Sequence, residues 1–288
     1  MNVINYCPNC KSKKIIKSPS VVMPFISYRL YGWIPLEINP KKKLRTLNNG
    51  TSYLLCSTAF CEKCTLIFCD LRFNASEMSK LYKNYRGIEY TKQRSLFESD
   101  YGNRNKALGV KLNYIKKIEN FIDLDIKKPK TILDWGSDNG MNTPFQNSNS
   151  KIYLYDISKK KTQSKKKNFT VVSKLTKSIK FDLIIAMHVF EHLSYPLKSL
   201  ISLRNCLKKK GLIYIEVPLE EKASFERSNK TNALKKYYWH EHINFFSKLS
   251  FECLFKTAGF KILSLQKIRV NAGGKKLNLI QVLGTKSD

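Results

Sequence analysis

Six of the eight cysteines fall within the first 69 residues, and four of them form two C-x-x-C pairs, Cys7-Pro8-Asn9-Cys10 and Cys61-Glu62-Lys63-Cys64. Two residues between thiolates let both sulfurs face one ion from a tight turn, at the separation a tetrahedral Zn²⁺ takes. One such pair reads equally well as a redox motif. Two pairs make a Cys₄ set, and that set constrains the fold: the chain between them has to return Cys61 and Cys64 to Cys7 and Cys10. Strand-like stretches at Val21–Leu30 and Ser52–Leu55 predict a hairpin insertion in the gap. Met1 to Cys10 lacks the apolar core of a secretory signal. A disulfide framework is therefore disfavoured, and a cytoplasmic location is the expectation. A closed Cys₄ site keeps no coordination position open, so the expected zinc is structural. Cys56 and Cys69 are alternative ligands, whereas Cys206 and Cys253 lie in helix-like segments as ordinary buried thiols.

The charge is lopsided, with 52 Lys plus Arg against 22 Asp plus Glu and a formal net charge of +30. Arginine contributes only nine of these cations. Readers of nucleic acid usually mix in arginine, whose planar fork contacts phosphate and guanine bidentately. Lysine runs at Lys41–Lys43, Lys159–Lys161, Lys165–Lys167 and Lys208–Lys210 read instead as solvated loops. Such a surface attracts an anionic small molecule at long range, and nucleic acid is disfavoured. With 42% hydrophobic and 12% aromatic residues the chain can bury a core, which excludes a disordered basic tail. No run of 18 apolar residues occurs, so membrane insertion is not expected.

A helical pattern over Asn74–Tyr90 is followed by an amphipathic one over Asn103–Leu124, ended by Lys127-Lys128-Pro129-Lys130. From Thr131 the rhythm changes to short apolar runs: Thr131–Trp135, Ile152–Tyr155, Thr170–Val172, Phe181–Met187 and Leu212–Val217. Helical patterns stand at Leu197–Leu207 and Ser247–Ala258, the latter stopped by Gly259. Two last strands, Lys261–Val270 and Leu277–Gly284, flank a Gly273-Gly274 turn. Alternating strand and helix predicts an α/β domain with a mostly parallel sheet, helices on both faces and a C-terminal antiparallel hairpin. Three units follow: a zinc-ribbon-like domain over 1–72, a helical connector over 73–129, and the α/β domain over 130–288.

Ligands of open parallel sheets sit beyond the carboxyl ends of the strands. The first strand ends in Asp134-Trp135-Gly136-Ser137-Asp138-Asn139-Gly140 and the second in Asp156, a carboxylate suited to two ribose hydroxyls. The loop is neither G-x-G-x-x-G nor a P-loop, which disfavours dinucleotides and triphosphates. The fourth strand runs into His188-Val189-Phe190-Glu191-His192-Leu193, and the fifth ends in Glu216-Val217-Pro218.

With these ordered motifs, residues 131–285 resemble class I S-adenosylmethionine-dependent methyltransferases. The resemblance implies a Rossmann-like methyltransferase sheet and S-adenosyl-L-methionine as cofactor. It places Asp134, Gly136 and Gly140 at the methionine part, Asp156 at the ribose, and His188 beside both cofactor and substrate. Cys61-Glu62-Lys63-Cys64-Thr65-Leu66-Ile67-Phe68, Leu81-Tyr82 and Tyr90 are similar to the zinc-binding N-terminal domain of some sugar C-methyltransferases. Trp239-His240-Glu241-His242-Ile243-Asn244-Phe245-Phe246-Ser247 is similar to the H-E-H motif of those enzymes. That implies His242 as general base with Glu241 as its partner and His240 beside them. Trp239 stands where several of those enzymes have Tyr, and Asp138 replaces the middle glycine of the usual loop, a residue that tolerates left-handed φ better than most. The expectation is therefore an S-adenosylmethionine-dependent methyltransferase for a small polar acceptor such as a nucleotide-linked sugar or polysaccharide precursor. An RNA or DNA methyltransferase and a non-catalytic zinc-ribbon binding protein are the competing classes. The first lacks an N-P-P-Y-type motif, and the intact Asp134, Gly136, Gly140 and Asp156 oppose the second.

Overall fold

The structure, a computed structural model, describes residues 1–39, 50–108, 111–123, 129–158, 166–176, 178–223, 230–272 and 275–287. The predicted runs at Lys41–Lys43 and Lys159–Lys161, Lys165, the Lys127-Lys128 break and the Gly273-Gly274 turn lie outside the described residues.

The N-terminal part carries β1 (Asn2–Val3), β2 (Ile15–Val22), α1 (Pro24–Tyr31), β3 (Leu36–Ile38), β4 (Gly50–Ser52), β5 (Leu54–Cys61), β6 (Ile67–Cys69) and β7 (Leu71–Arg72). Val21–Leu30 was expected as a strand, but only its first two residues are β. Pro24 opens a helix at its first turn, and Gly32 closes it in the left-handed conformation at φ 70°. The apolar run is buried on both counts, so its hydrophobicity alone did not separate strand from helix.

The connector holds α2 (Ala75–Tyr82), α3 (Ile88–Ser95), α4 (Tyr101–Leu108) and α5 (Ile115–Asp123). α2 begins with a full capping box, in which Asn74 accepts from the Glu77 amide and Glu77 accepts from the Asn74 amide. The amphipathic pattern over Asn103–Leu124 is not one helix but parts of two, α4 and α5.

The C-terminal part contains β8 (Thr131–Trp135), β9 (Lys151–Tyr155), β10 (Phe169–Val171), β11 (Phe181–Met187), α6 (Pro196–Cys206), β12 (Leu207–Pro218), α7 (Lys230–Leu234), β13 (Tyr238–Trp239), β14 (Asn244–Phe245), α8 (Lys248–Thr257), β15 (Phe260–Ala272) and β16 (Lys275–Lys286). Seven of these strands form one sheet in the order β10-β9-β8-β11-β12-β16-β15. β8 to β12 run parallel, and β16 is antiparallel to both neighbours, which is the expected hairpin. The order reverses between β8 and β11, so their carboxyl ends open the crevice that ligands use in such sheets. Helices cover both faces: Leu197, Leu200, Leu203, Phe251, Leu254 and Phe255 of α6 and α8 pack on one, and Ile115, Ile118 and Ile122 of α5 on the other. The regular strand–helix alternation does not hold in the first half, because among the described residues no helix follows β8, β9 or β10.

The N-terminal sheet is built partly from distant sequence. Its order is β13-β2-β5-β6-β14, so both edge strands come from the short segment 238–245. Trp239 is fully buried there and donates its indole N–H to Thr58 Oγ1 at 2.8 Å. Edge strands left bare invite mispairing, and the segment covers two of them at once.

Candidate active site and metal centre

The four predicted ligand cysteines converge. Cys7 Sγ lies 3.5 Å from Cys64 Sγ, Cys10 Sγ lies 3.6 Å from Cys61 Sγ, and all four sulfurs are within 4.8 Å of one another. The two C-x-x-C segments adopt the same turn. The amide after each second cysteine donates back to the first, Lys11 to Cys7 O at 3.0 Å and Thr65 to Cys61 O at 2.8 Å, with φ of 62° and 59°. Two copies of one turn, aimed at one point, are the geometry a tetrahedral ion needs. Cys56 Sγ is instead 3.2 Å from Ser20 Oγ, and neither it nor Cys69 belongs to the sulfur cluster. Cys206 is buried at the end of α6 and Cys253 half-buried in α8.

The loop after β8 is tied to its surroundings on both sides. Asp134 is buried and accepts from Thr143 Oγ1 at 2.5 Å. Burial pushes its carboxyl up to about 7, against the Thr143 bond and with Asp156. Gly136 has φ 90°, and a Cβ there would lie 2.3 Å from Val189 Cγ2. Only glycine allows this turn to touch the turn after β11. Asp138, at φ 48°, donates its amide to Asp156 Oδ2 at 2.8 Å, while the Ser158 amide donates to Asp156 Oδ1 at 2.7 Å. Each Asp156 oxygen keeps a lone pair for a hydroxyl donor. Gly140 closes the loop, donating to Ser137 O at 2.8 Å. Among the described residues, no helix begins in the loop after β8.

Beyond β11, His188 is held at φ 54° between two carboxylates, with Nε2 3.3 Å from Glu216 Oε1 and Nδ1 3.7 Å from Glu191 Oε1. Burial disfavours its charge, but Glu191 and Glu216 outweigh it and raise His188 to about 10. Tyr114 joins the group by donating to Glu216 Oε1 at 2.9 Å. Glu191 is 2% exposed, yet neither carboxylate oxygen accepts a hydrogen bond. Burial works against its charge, and His188 first, with His242, holds it below the usual carboxylate range. His192 sits with its ring 4.7 Å from that of His242, edge to face. Burial pulls His192 down to about 4, so its ring is neutral.

The H-E-H residues go to three different partners. His240 is 43% exposed, with Nδ1 4.0 Å from Glu98 Oε1. Glu241 turns to α3, where Arg94 Nη1 donates at 2.7 Å and Tyr90 donates through its hydroxyl. His242 meets Glu220 Oε1 through Nδ1 at 3.0 Å. Of the three, His242 alone joins the cluster with Glu191 and His192 through its side chain, and Glu241 touches it through its carbonyl oxygen, 3.0 Å from His192 Nδ1. Glu220, Tyr82 and Tyr114 were not named as site residues from sequence. Glu220 lies two residues beyond the Pro218 strand end, which was its one signal; Tyr114 carried only helix periodicity, to which Tyr82 added the resemblance of the N-terminal domain.

No curated protein sequence matches the chain. Among solved structures, it is similar to the Burkholderia thailandensis 1,6-didemethyltoxoflavin-N1-methyltransferase with bound 1,6-didemethyltoxoflavin and S-adenosylhomocysteine. The two are 16% identical, with a TM-score of 0.52, over 77% of this chain and 95% of that one. It is also similar to the glycopeptide N-methyltransferase MtfA, at 11% identity and a TM-score of 0.46, over 61% of this chain and 91% of that one. The family described as "Methyltransferase domain" matches residues 109–265, more than half of the sequence and all five parallel strands of the seven-stranded sheet. With that match, the strand order and the glycine turn at the switch point, the chain is an enzyme belonging to the methyltransferase domain family.

Proposed function

We propose that the protein transfers a methyl group from S-adenosylmethionine to a small polar acceptor, a nucleotide-linked sugar or a polysaccharide precursor. A structural zinc ion on Cys7, Cys10, Cys61 and Cys64 holds the N-terminal sheet in register. The observation that carries the reading is the contact of Gly136 with Val189, which brings the cofactor loop against the turn that bears His188, Glu191 and His192. Asp134, Gly136 and Gly140 would hold the methionine part, Asp156 the ribose, and His188 the border with the acceptor. When bound, the cofactor supplies a methyl carbon activated by its sulfonium.

The chain's own work is to orient the acceptor and handle its proton. His242, its ring set by Glu220, is the group placed to receive that proton. Glu241 acts at one remove: its carbonyl oxygen accepts from His192 Nδ1 at 3.0 Å, and its carboxylate anchors α3. His240, beside Glu98, stands at the rim where an acceptor enters. The lysine-rich surface favours an anionic acceptor through its long-range field. The test is calorimetry with S-adenosylmethionine on the unmutated protein and on Asp156→Ala, followed by labelled-methyl transfer to nucleotide sugars, small metabolites and RNA. Binding that Asp156→Ala weakens at least about tenfold supports the cofactor site. No binding by the unmutated protein refutes it, and transfer to RNA alone refutes the acceptor class.

A further inference from the structure

We infer that Glu191, His192 and His242 bind a divalent transition-metal ion, separate from the ion of the four cysteines. One ligand atom from each lies within 4.8 Å of the other two. Three features single this cluster out from an ordinary polar network.

The first is the stranded carboxylate. Glu191 is 2% exposed and neither oxygen has a donor. The nearest ring nitrogens, His188 Nδ1 at 3.7 Å and His192 Nε2 at 3.8 Å, are beyond hydrogen-bond range. An ionised carboxylate without donors is costly to bury; the His188 imidazolium offsets part of that cost at Oε1 from 3.7 Å, but no cation among the described residues is in contact with either oxygen.

The second is the direction of the imidazoles. His192 Nδ1 is 3.0 Å from the carbonyl oxygen of Glu241, and a carbonyl can only accept. A donor bond to that carbonyl puts a proton on Nδ1, with Tyr82 Oη 2.8 Å away as a second acceptor, and in that tautomer Nε2 presents a lone pair toward Glu191. A bare nitrogen facing an unpartnered carboxylate is repulsive unless an ion lies between them. His242 Nδ1 donates to the Glu220 carboxylate at 3.0 Å, which leaves Nε2 as its free nitrogen in the neutral form. Metal-ligating histidines characteristically donate their other N–H to a carboxylate or carbonyl, and here both do.

The third is the donor set. Two imidazoles and one carboxylate select Zn²⁺, Fe²⁺, Co²⁺ or Ni²⁺ over the hard ions Mg²⁺ and Ca²⁺, and leave coordination positions open. The Cys₄ set, by contrast, is closed and leaves no position for an acceptor. An oxygen acceptor bound at an open position would be acidified by the ion itself. On this inference His242 serves the acceptor as a ligand rather than as a free base; that consequence rests on the methyl-transfer reading, whereas metal binding does not.

The test uses the full-length protein, stripped of labile metal and titrated with Co²⁺ in the absence of cofactor and acceptor. Elemental analysis should find a second equivalent beyond that of the cysteine set. Its visible bands should lack the sulfur-to-cobalt charge transfer that marks the cysteine site. Glu191→Gln and His242→Gln should lose this second equivalent and keep the charge-transfer band, and Glu220→Gln should weaken it about 10–100-fold. The band also reports that the variants are folded. Saturation of the unmutated protein at the cysteine equivalent alone overturns the inference, as does a second equivalent that Glu191→Gln and His242→Gln both retain. Methyl transfer without a second metal would leave the proposed function standing and this site refuted.

Discussion

Glu241 was expected to assist a catalytic base, and the structure assigns its carboxylate to a buried ion pair. The Arg94 and Glu241 side chains are 5% and 9% exposed, with Nη1 and Oε1 2.7 Å apart. Removing one member of a buried pair costs about 3–5 kcal/mol, since the other charge is left without compensation. Arg94 would keep some compensation in the Glu241→Ala variant. Its Nε still lies 2.8 Å from Glu98 Oε1, and its guanidinium stands 4.2 Å over the Tyr101 ring. Glu98, however, is shared with Arg104 at 2.7 Å. The expected loss is therefore about 2–3 kcal/mol, at or below the lower end of that range. With a urea slope of about 2 kcal/mol per molar, the unfolding midpoint should fall by about 1–1.5 M. Arg94→Leu combined with Glu241→Leu should recover most of the loss, because two packed apolar side chains then replace the pair. The assay is urea unfolding followed by near-ultraviolet circular dichroism, with S-adenosylmethionine affinity measured on the same samples. Glu241→Ala with an unchanged midpoint but no methyl transfer would refute the brace and return Glu241 to the chemistry.

Three further expectations follow from single sites. Gly136→Ala combines φ 90° with a Cβ 2.3 Å from Val189 Cγ2, so S-adenosylmethionine binding should weaken by about 1–3 kcal/mol, read by calorimetry; unchanged affinity would separate this turn from the cofactor. Chelation of the metal proposed for the four cysteines should melt the N-terminal sheet before the seven-stranded one, seen as early proteolysis within residues 1–72; simultaneous cleavage of both sheets would contradict it. Asp134 carries a folded-state value of about 7 against the ordinary 3.8, so the folded form binds the proton more tightly. The resulting stabilisation is complete below about pH 4 and drains as pH rises through 7, by at most about 4 kcal/mol. Asp134→Asn should flatten that slope, and an unaltered pH profile would remove Asp134 as its source.

What the sequence revealed depended on the range over which the signal acts. Strands β8 to β12 and the Gly136 turn were legible because strand burial and glycine turns are set by near neighbours. α1 was misread although its punctuation, Pro24 and Gly32, is local; the continuous apolar run of Val21–Leu30 lacks the periodicity that separates a strand from a buried helix. α4 and α5 share one amphipathic pattern, and nothing in that pattern marks the break between them. The two-residue strands β13 and β14 carry no pattern of their own and exist because β2 and β6 offer open edges.

The H-E-H motif shows the same limit at the site. Adjacent in sequence, His240, Glu241 and His242 reach Glu98, Arg94 and Glu220, which lie on two distant stretches of chain, the first two partners at and just after the end of α3 and the third beyond β12. Only β11 and β12, by running parallel side by side, bring Glu191, His192 and Glu220 to the same end of the sheet as His242. Trp239 follows from the same topology. It lacks the hydroxyl that a tyrosine would bring, but its indole N–H seals the β13 edge at Thr58 Oγ1, on the N-terminal sheet and outside the histidine cluster. Its aromatic ring is held between Phe245 and Lys236, at 5.2 and 5.4 Å. The residue therefore fixes where the segment 240–243 starts, and β14 fixes where it ends. With both ends pinned to the N-terminal sheet, that sheet controls the position of His242, and loss of the ion proposed for the four cysteines should displace the histidine cluster as well as the strands.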